Sequence, residues 1–350
     1  LAILLAQLFI SESLAERPPL KRIDVLGLVL LVLGVGGLQF VLDRGQREDW
    51  FSSPLITRVT IVAALALVLL VVHELRTRDP VVDLRVLRHG TFAVATLVMF
   101  VIGTAFYGVI VLSPLLTQIL MGYTAFLAGL VLAPGGAATL LVMPIAGVLI
   151  NRIDSRWIIG TGCLLNAYGM YMMATLTLEA NFWQVMFPRF VQGLGIGLTF
   201  VPLSTVALGA VPLADLGHAS GLFNFIRTIG GSIGIAAMAT FLERGAQVHQ
   251  ARLVGHVSLY EPAVWQRYQD LVAMFVTRGA DPATAEQQAW KLLYDGVREQ
   301  ALFLAFLDDF WRLSIIFASV IPLLVFLRRP RRPAAGGVGE GERTGAVLET

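Results

Sequence analysis

The strongest constraint in this sequence is a recurrence of long apolar runs separated by short polar connections. A helix needs about 20 mainly apolar residues to cross the hydrocarbon core of a bilayer, where backbone N–H and C=O groups find no water and must satisfy one another. Eight segments meet that length, at residues 25–42, 55–72, 92–116, 125–150, 158–176, 183–210, 222–242 and 302–327, and an apolar stub at 1–10 precedes them. Only 14% of the 350 residues are charged and the mean hydropathy is +0.75. A soluble domain is roughly a quarter charged. The reading is an all-α integral membrane protein in which the end of one span is followed by eight complete ones. The sequence starts at Leu1, already inside an apolar stretch with no basic region ahead of it, so it reads as truncated at the N-terminus.

The placement of the cations sets the orientation. Lys and Arg accumulate in cytoplasmic loops. One set of connections holds Arg17, Lys21 and Arg22, then Arg76, Arg78, Arg85 and Arg88, then Arg152 and Arg156, and finally Arg328, Arg329, Arg331 and Arg332. The alternate short loops hold only Arg44 and Arg47. Both the end of the stub and the C-terminal tail are therefore expected in the cytoplasm. The tail, residues 328–350, is rich in Gly and Glu past Pro333 and is expected to be disordered. A net charge of +2 gives no footprint for nucleic acid. The single cysteine, Cys163, lies in an apolar run, which excludes an internal disulfide framework and a cysteine-based metal site.

One connection differs from the rest. Residues 243–300 are long, charged and extracytoplasmic, yet Val264, Trp265, Tyr268, Leu271, Val272, Phe275 and Val276 recur at helical spacing, and Asp281 followed by Pro282 reads as a helix start. The segment is expected to fold into amphipathic helices. They would lie on the bilayer or pack on their own bundle, or else dock a partner protein.

Within the spans, ionised groups are rare and costly, about 2.5–3.5 kcal/mol each on insertion scales. Arg189 opens "RFVQGLGIG", an R-x-x-Q-G-x-G-x-G pattern inside a span. Gln192 supplies a polar neighbour, and Gly193 with Gly197 forms a small-residue face that admits another helix closely. A snorkelling side chain near the outer interface would explain the same arginine. Asn224 and Arg227 lie one turn apart in "GLFNFIRTIGG", and Asp308 with Arg312 forms an i, i+4 pair beside Asp309. Pro134, Gly135 and Gly136 mark an expected helix break. Met99, Phe106, Tyr107, Phe223 and Phe225 are candidates to line a promiscuous pocket, although apolar side chains in spans also simply face lipid or neighbouring helices. The histidines, His73, His89, His218, His249 and His256, show no metal-ligand spacing and read as boundary or loop residues, so no metal site is expected.

Between two spans, "GVLINRIDSRW" resembles the G-x-x-x-D-R-x-G-R-[RK] loop signature of the major facilitator superfamily, with Gly147, Arg152 and Arg156 in place. Asn151 stands where that signature has Asp, and Asp154 where it has its inner Gly. The order of "LAPGGAATLLVMPIAGVLINR", "RFVQGLGIG", "HASGLFNFIRTIGGSIGIA" and "DDFWRLSIIFASVIPLLVFLRRP" is similar to the C-terminal part of the EmrB/QacA-type drug/proton antiporters, the fourteen-span branch of that superfamily. "RIDVLG" and "DWFSSP" around the first complete span resemble that branch's extra central helices.

That resemblance implies a definite organisation. Residues 1–24 would end one span and enter a cytoplasmic loop, 25–90 would form two linker spans, and 91–327 a six-helix transporter bundle carrying the outer loop 243–300. It also makes Arg189 a conformational or proton-coupling residue rather than a snorkelling one. The implied activity is proton-driven export of amphipathic toxic compounds by alternating access, across a bacterial cytoplasmic membrane. No cofactor is implied beyond the proton gradient, and 243–300 would offer a docking site for a periplasmic adaptor. Two lobes must rock about a shared site in such carriers, so this chain alone is expected not to transport. Export of one endogenous metabolite, or a non-transporting assembly module working through 243–300, are the alternatives. A membrane enzyme would need clustered His, Asp or Cys, or a Ser with a base, at one depth, and the sequence offers none.

Overall fold

Helix starts in this chain are written in polar residues placed just ahead of apolar runs. In the computed structural model, which describes residues 24–77, 80–257 and 260–327, Asp24, Thr124, Asp154, Asn181 and Asp281 each cap a helix by accepting a hydrogen bond from a backbone N–H of its first turn. The first four N–H groups of a helix lack an internal partner, and such side chains supply one. Asn181 and Gln184 form a reciprocal capping box. At Asp281, hydrogen bonds from Thr284 hold the carboxyl below the usual carboxylate range. This cap is thus present at neutral pH and is lost only as the pH falls through that lowered value.

Nine α-helices result among the described residues. They are α1 (Val25–Arg44, with a π-helical turn at Val32–Gly36), α2 (Pro54–Arg76), α3 (Gly90–Leu115), α4 (Ala125–Leu149), α5 (Ser155–Ala174), α6 (Phe182–Gly209), α7 (Leu216–Val254), α8 (Pro262–Thr277) and α9 (Pro282–Leu323). No strand occurs among the described residues. The stub at 1–10, the cations Arg17, Lys21, Arg22 and Arg78, and the tail from 328 onward lie outside them.

Seven of these helices are long and apolar enough to cross a membrane. The eighth expected crossing, 158–176, forms α5 but falls short in apolarity, because Asn166, three glycines, two tyrosines and two threonines dilute it. Its buried Asn166 is accommodated where α5 packs between α6 and α9, while Tyr168 and Tyr171 stay exposed. Asn166 is 1% exposed and donates to the Gly162 carbonyl. The expected break at Pro134, Gly135 and Gly136 is also absent, and α4 runs unbroken through them.

Six helices share one core. α6 packs against both α4 and α5, α9 against both α5 and α7, and α3 closes the ring against α7, α9 and α6. Phe92, Phe306, Phe310 and Phe317 are its largest fully buried side chains. α1 and α2 pack chiefly on each other and touch the bundle beside α7, where the Gln46 side chain donates to Glu243 over 2.7 Å. Their outer faces carry Leu65 and Val68, both about 60% exposed, as lipid-facing residues require.

The connection 243–300 is not a loop. α7 continues twelve residues past its expected end at 242, and α9 begins at Pro282, well ahead of the expected 302. With α8 between them they form a helical extension in which Leu271 is buried and Tyr268 meets Trp290 ring to ring at 5.1 Å. Amphipathic helices packed on their own neighbours are thus what the residue spacing produced, while Trp265 and Val276 of α8 face outward.

Candidate functional site

Close helix approach decides what surrounds Arg189. Gly193 on α6 lies so near α4 that a methyl group there would collide with the Gly135 backbone, and one on Gly135 would stand 2.8 Å from the Arg189 carbonyl oxygen. Thr139 Oγ1 spans the same crossing and donates toward the carbonyls of Gly135 and Gly193, each at 2.9 Å. Gly135 therefore serves this contact rather than a kink.

Beside the crossing is an open cavity of about 450 Å³ lined by α3, α4 and α6. Its wall combines Phe106, Ile110, Leu132 and Ile196 with Ser113, Thr139, Arg189 and Gln192. Arg189 is only 5% exposed and Gln192 3%. Arg189 Nη1 donates to Gln192 Oε1 over 2.5 Å, which the i, i+3 spacing allows. The remaining Nε and Nη2 of Arg189, and Nε2 of Gln192, are buried without a hydrogen-bond partner. Among the described residues no Asp or Glu lines this cavity. An arginine this enclosed is not snorkelling. A second hollow of similar volume, lined by Met172, Asn181, Trp183 and Gln184 where α5 joins α6, has no charged side chain in its wall.

Of the five apolar candidates, the structure brings one to the cavity. Phe106 lines it, edge-on to Tyr107 and to Phe200. Met99 and Phe223 are buried in the common core, Phe225 packs on that core, and Tyr107 rests against Gly231. Asn224 and Arg227 do not bond each other: Asn224 donates to the Ser220 carbonyl, and Arg227 Nε is buried without a partner.

The ion pair expected between Asp308 and Arg312 is present, but each partner also has a closer contact. Arg312 bonds Asp309, one turn away at i, i+3, and stands 4.0 Å from Asp308. Asp308 instead meets His249 of α7 at 2.9 Å, so this histidine is no idle boundary residue. Phe241 places its ring 5.1 Å under the Arg312 guanidinium. Asp309 is fully buried whereas the Arg312 side chain is 39% exposed. Arg312→Ala is accordingly expected to destabilise the detergent-solubilised protein more than Asp309→Ala, by up to the about 3–5 kcal/mol of an orphaned buried charge. Thermal unfolding of both single variants and the double variant measures this, and equal effects would show that the pair is not what matters.

In the turn between α4 and α5, Gly147 sits in the last turns of α4, Arg152 is exposed, and the Arg156 backbone N–H donates to Asp154 at 3.2 Å. Asp154, which stands where the signature has glycine, caps α5. Asn151 lies in the turn between α4 and α5. Among pairings the sequence did not single out, Asp24 and His73 meet at 2.8 Å across α1 and α2, next to the buried Glu74. Their spacing of 49 residues offers no local signal. Among the described residues no cluster of His, Cys, Asp and Glu could hold a metal ion.

Comparison with known proteins decides the family, since residues 1–235 match the model of the Major Facilitator Superfamily. The chain belongs to this superfamily. It is 34% identical over 329 residues to the multidrug export protein EmrB of Escherichia coli (strain K12), an alignment covering 94% of this chain and 62% of that protein. Against EmrB of Haemophilus influenzae the identity is 34% over 312 residues, covering 89% and 59%. The chain thus spans about 62% of the length of the first of these relatives. The EmrB-type resemblance read from the ordered motifs therefore holds, and this facilitator-superfamily chain is a multi-pass all-α membrane protein.

Proposed function

We propose that this superfamily member works as a proton-coupled exporter of amphipathic toxic compounds, alternating its access across a bacterial cytoplasmic membrane. The observation that carries this reading is the cavity bounded by α3, α4 and α6. It combines an apolar wall, the aromatic Phe106 and one buried cation, and it lies where α4 and α6 meet through glycine. A pocket of that size, apolar with few polar groups, suits a small amphipathic ligand. Contacts made through backbone rather than interlocked side chains suit helices that slide or rock. The EmrB relatives named above are multidrug export proteins, which supports the same substrate range. Transport, rather than catalysis, is thus the activity, with the proton gradient as the energy source and no cofactor.

The full-length protein reconstituted in proteoliposomes should expel an amphipathic dye when a proton gradient is imposed, and the efflux should stop when the gradient is collapsed. Dye movement indifferent to the gradient would refute the coupling.

The outer extension supports a further part of this reading, the docking of a periplasmic adaptor on its exposed face. Trp265 and Trp290 are each about 40% exposed beside Tyr268, an aromatic row of the kind enriched at interfaces. Photocrosslinkers at Trp265 or Phe275 should trap an adaptor in cells with two membranes, while deletion of 243–300 separates docking from transport.

A further inference from the structure

The groups left unpaired at the cavity are all donors. Arg189 spends Nη1 on Gln192, which leaves Nε and Nη2. These two N–H groups share one edge of the planar guanidinium, the edge that takes both oxygens of a carboxylate side by side. Gln192 Nε2 adds a third unpaired donor on the same helix, one turn on. Arginine keeps its proton at any physiological pH, so its charge must be answered rather than titrated away. An isolated buried charge is among the costliest groups a protein can hold. Among the described residues nothing lining the cavity answers it: the wall has neither Asp nor Glu there, and no side chain, the hydroxyls of Ser113 and Thr139 included, accepts from Nε or Nη2.

Acceptors for those donors must arrive from elsewhere. We propose that Arg189 and Gln192 form a carboxylate-binding subsite, and that the preferred substrates are amphipathic compounds bearing a single carboxylate on an apolar body. Phe106, Ile110, Leu132 and Ile196 would bed the apolar part. The unpaired fork is shielded from solvent at present, so Arg189 swings toward the cavity it already lines when the headgroup enters. A substrate supplying the counter-charge is held in place, whereas a cationic one meets a fixed positive charge in a low-dielectric wall. This deepens the export reading given above and rests on it for the direction of transport, but binding is measurable without transport.

The same carboxylate chemistry could be supplied by an acidic side chain of the transporter itself, and the experiment separates the two sources. Full-length protein in lipid nanodiscs is titrated calorimetrically with three probes sharing a naphthyl body: 2-naphthylacetate, 2-naphthylethanol and a naphthylethyl trimethylammonium. The wild-type protein should favour the carboxylate over the alcohol by about tenfold to a hundredfold, the range of a charge-assisted pair, and should bind the ammonium most weakly. R189Q should remove that preference while the alcohol binds within about twofold of wild type. R189K should retain part of it, having the charge without the fork. Equal binding of carboxylate and alcohol by the wild-type protein would overturn the proposal and place a side-chain acid of the protein on Arg189. That comparison needs no variant, so misfolding of R189Q leaves it standing. Proton-driven dye efflux from the same preparation reports separately on export. Efflux without carboxylate preference defeats the subsite alone, and preference without efflux defeats the export reading alone.

Discussion

Gly193→Val is expected to cut the yield of monodisperse, detergent-solubilised transporter by about tenfold or more, the equivalent of the 1–3 kcal/mol typical of overpacking. The reason is the absence of anything soft at this contact. Facing Gly193 is the backbone of Gly135, and the Gly135 Cα in turn faces the Arg189 carbonyl, so no side chain can swing aside. A valine must push α4 from α6 and with it break the Thr139 hydrogen bond to the Gly193 carbonyl. Gly136, whose Cβ position is open, provides the control: Gly136→Ala should leave the yield unchanged. Fluorescence-detected size-exclusion chromatography on the tagged protein measures both. Wild-type yield from Gly193→Val would mean that α4 and α6 do not cross here.

Arg189→Ala should behave in the opposite way. Removing a buried, incompletely paired charge relieves its desolvation cost, so expression and folding should stay within about twofold of wild type. Coupled transport per inserted molecule should nevertheless fall about tenfold or more, because the charge-assisted contact it offers is lost. Surface-normalised dye efflux from cells is the readout. Unchanged efflux would return Arg189 to an anchoring role, which its 5% exposure argues against.

Much of this architecture is legible in the residues. Length and apolarity alone locate the membrane helices, because a bilayer demands both at once. Where α5 falls short, the cause is a helix so enclosed by α6 and α9 that it can hold Asn166. Arg189 and Gln192 were readable as a pair because i, i+3 spacing puts them on one face. Periodicity could not say which face meets a cavity, and so Met99 and Phe223, chosen on chemistry, turn out to pack the core. Long-range partners leave no local mark. Asp308 does stand 4.0 Å from Arg312 at i, i+4, yet each has a closer partner that spacing alone does not show: His249, 59 residues away, for Asp308, and Asp309 for the arginine. Likewise the Pro134 to Gly136 run suggests a break by composition, while in the fold Gly135 is consumed by contact with α6. The continuous helices of the extension leave no mark in hydropathy, which falls past 242 and ahead of 302 although α7 and α9 themselves go on.

The claim on which the rest depends is that the cavity beside Arg189 opens alternately to the two sides of the membrane. A cysteine at Ile110, in a background with Cys163 and any other cysteine replaced, can be probed with an impermeant maleimide from either side of sealed vesicles while the proton gradient is reversed. The account predicts labelling from both sides, with the favoured side changing as the gradient is inverted. Labelling from one side only, at a rate indifferent to the gradient, would contradict it.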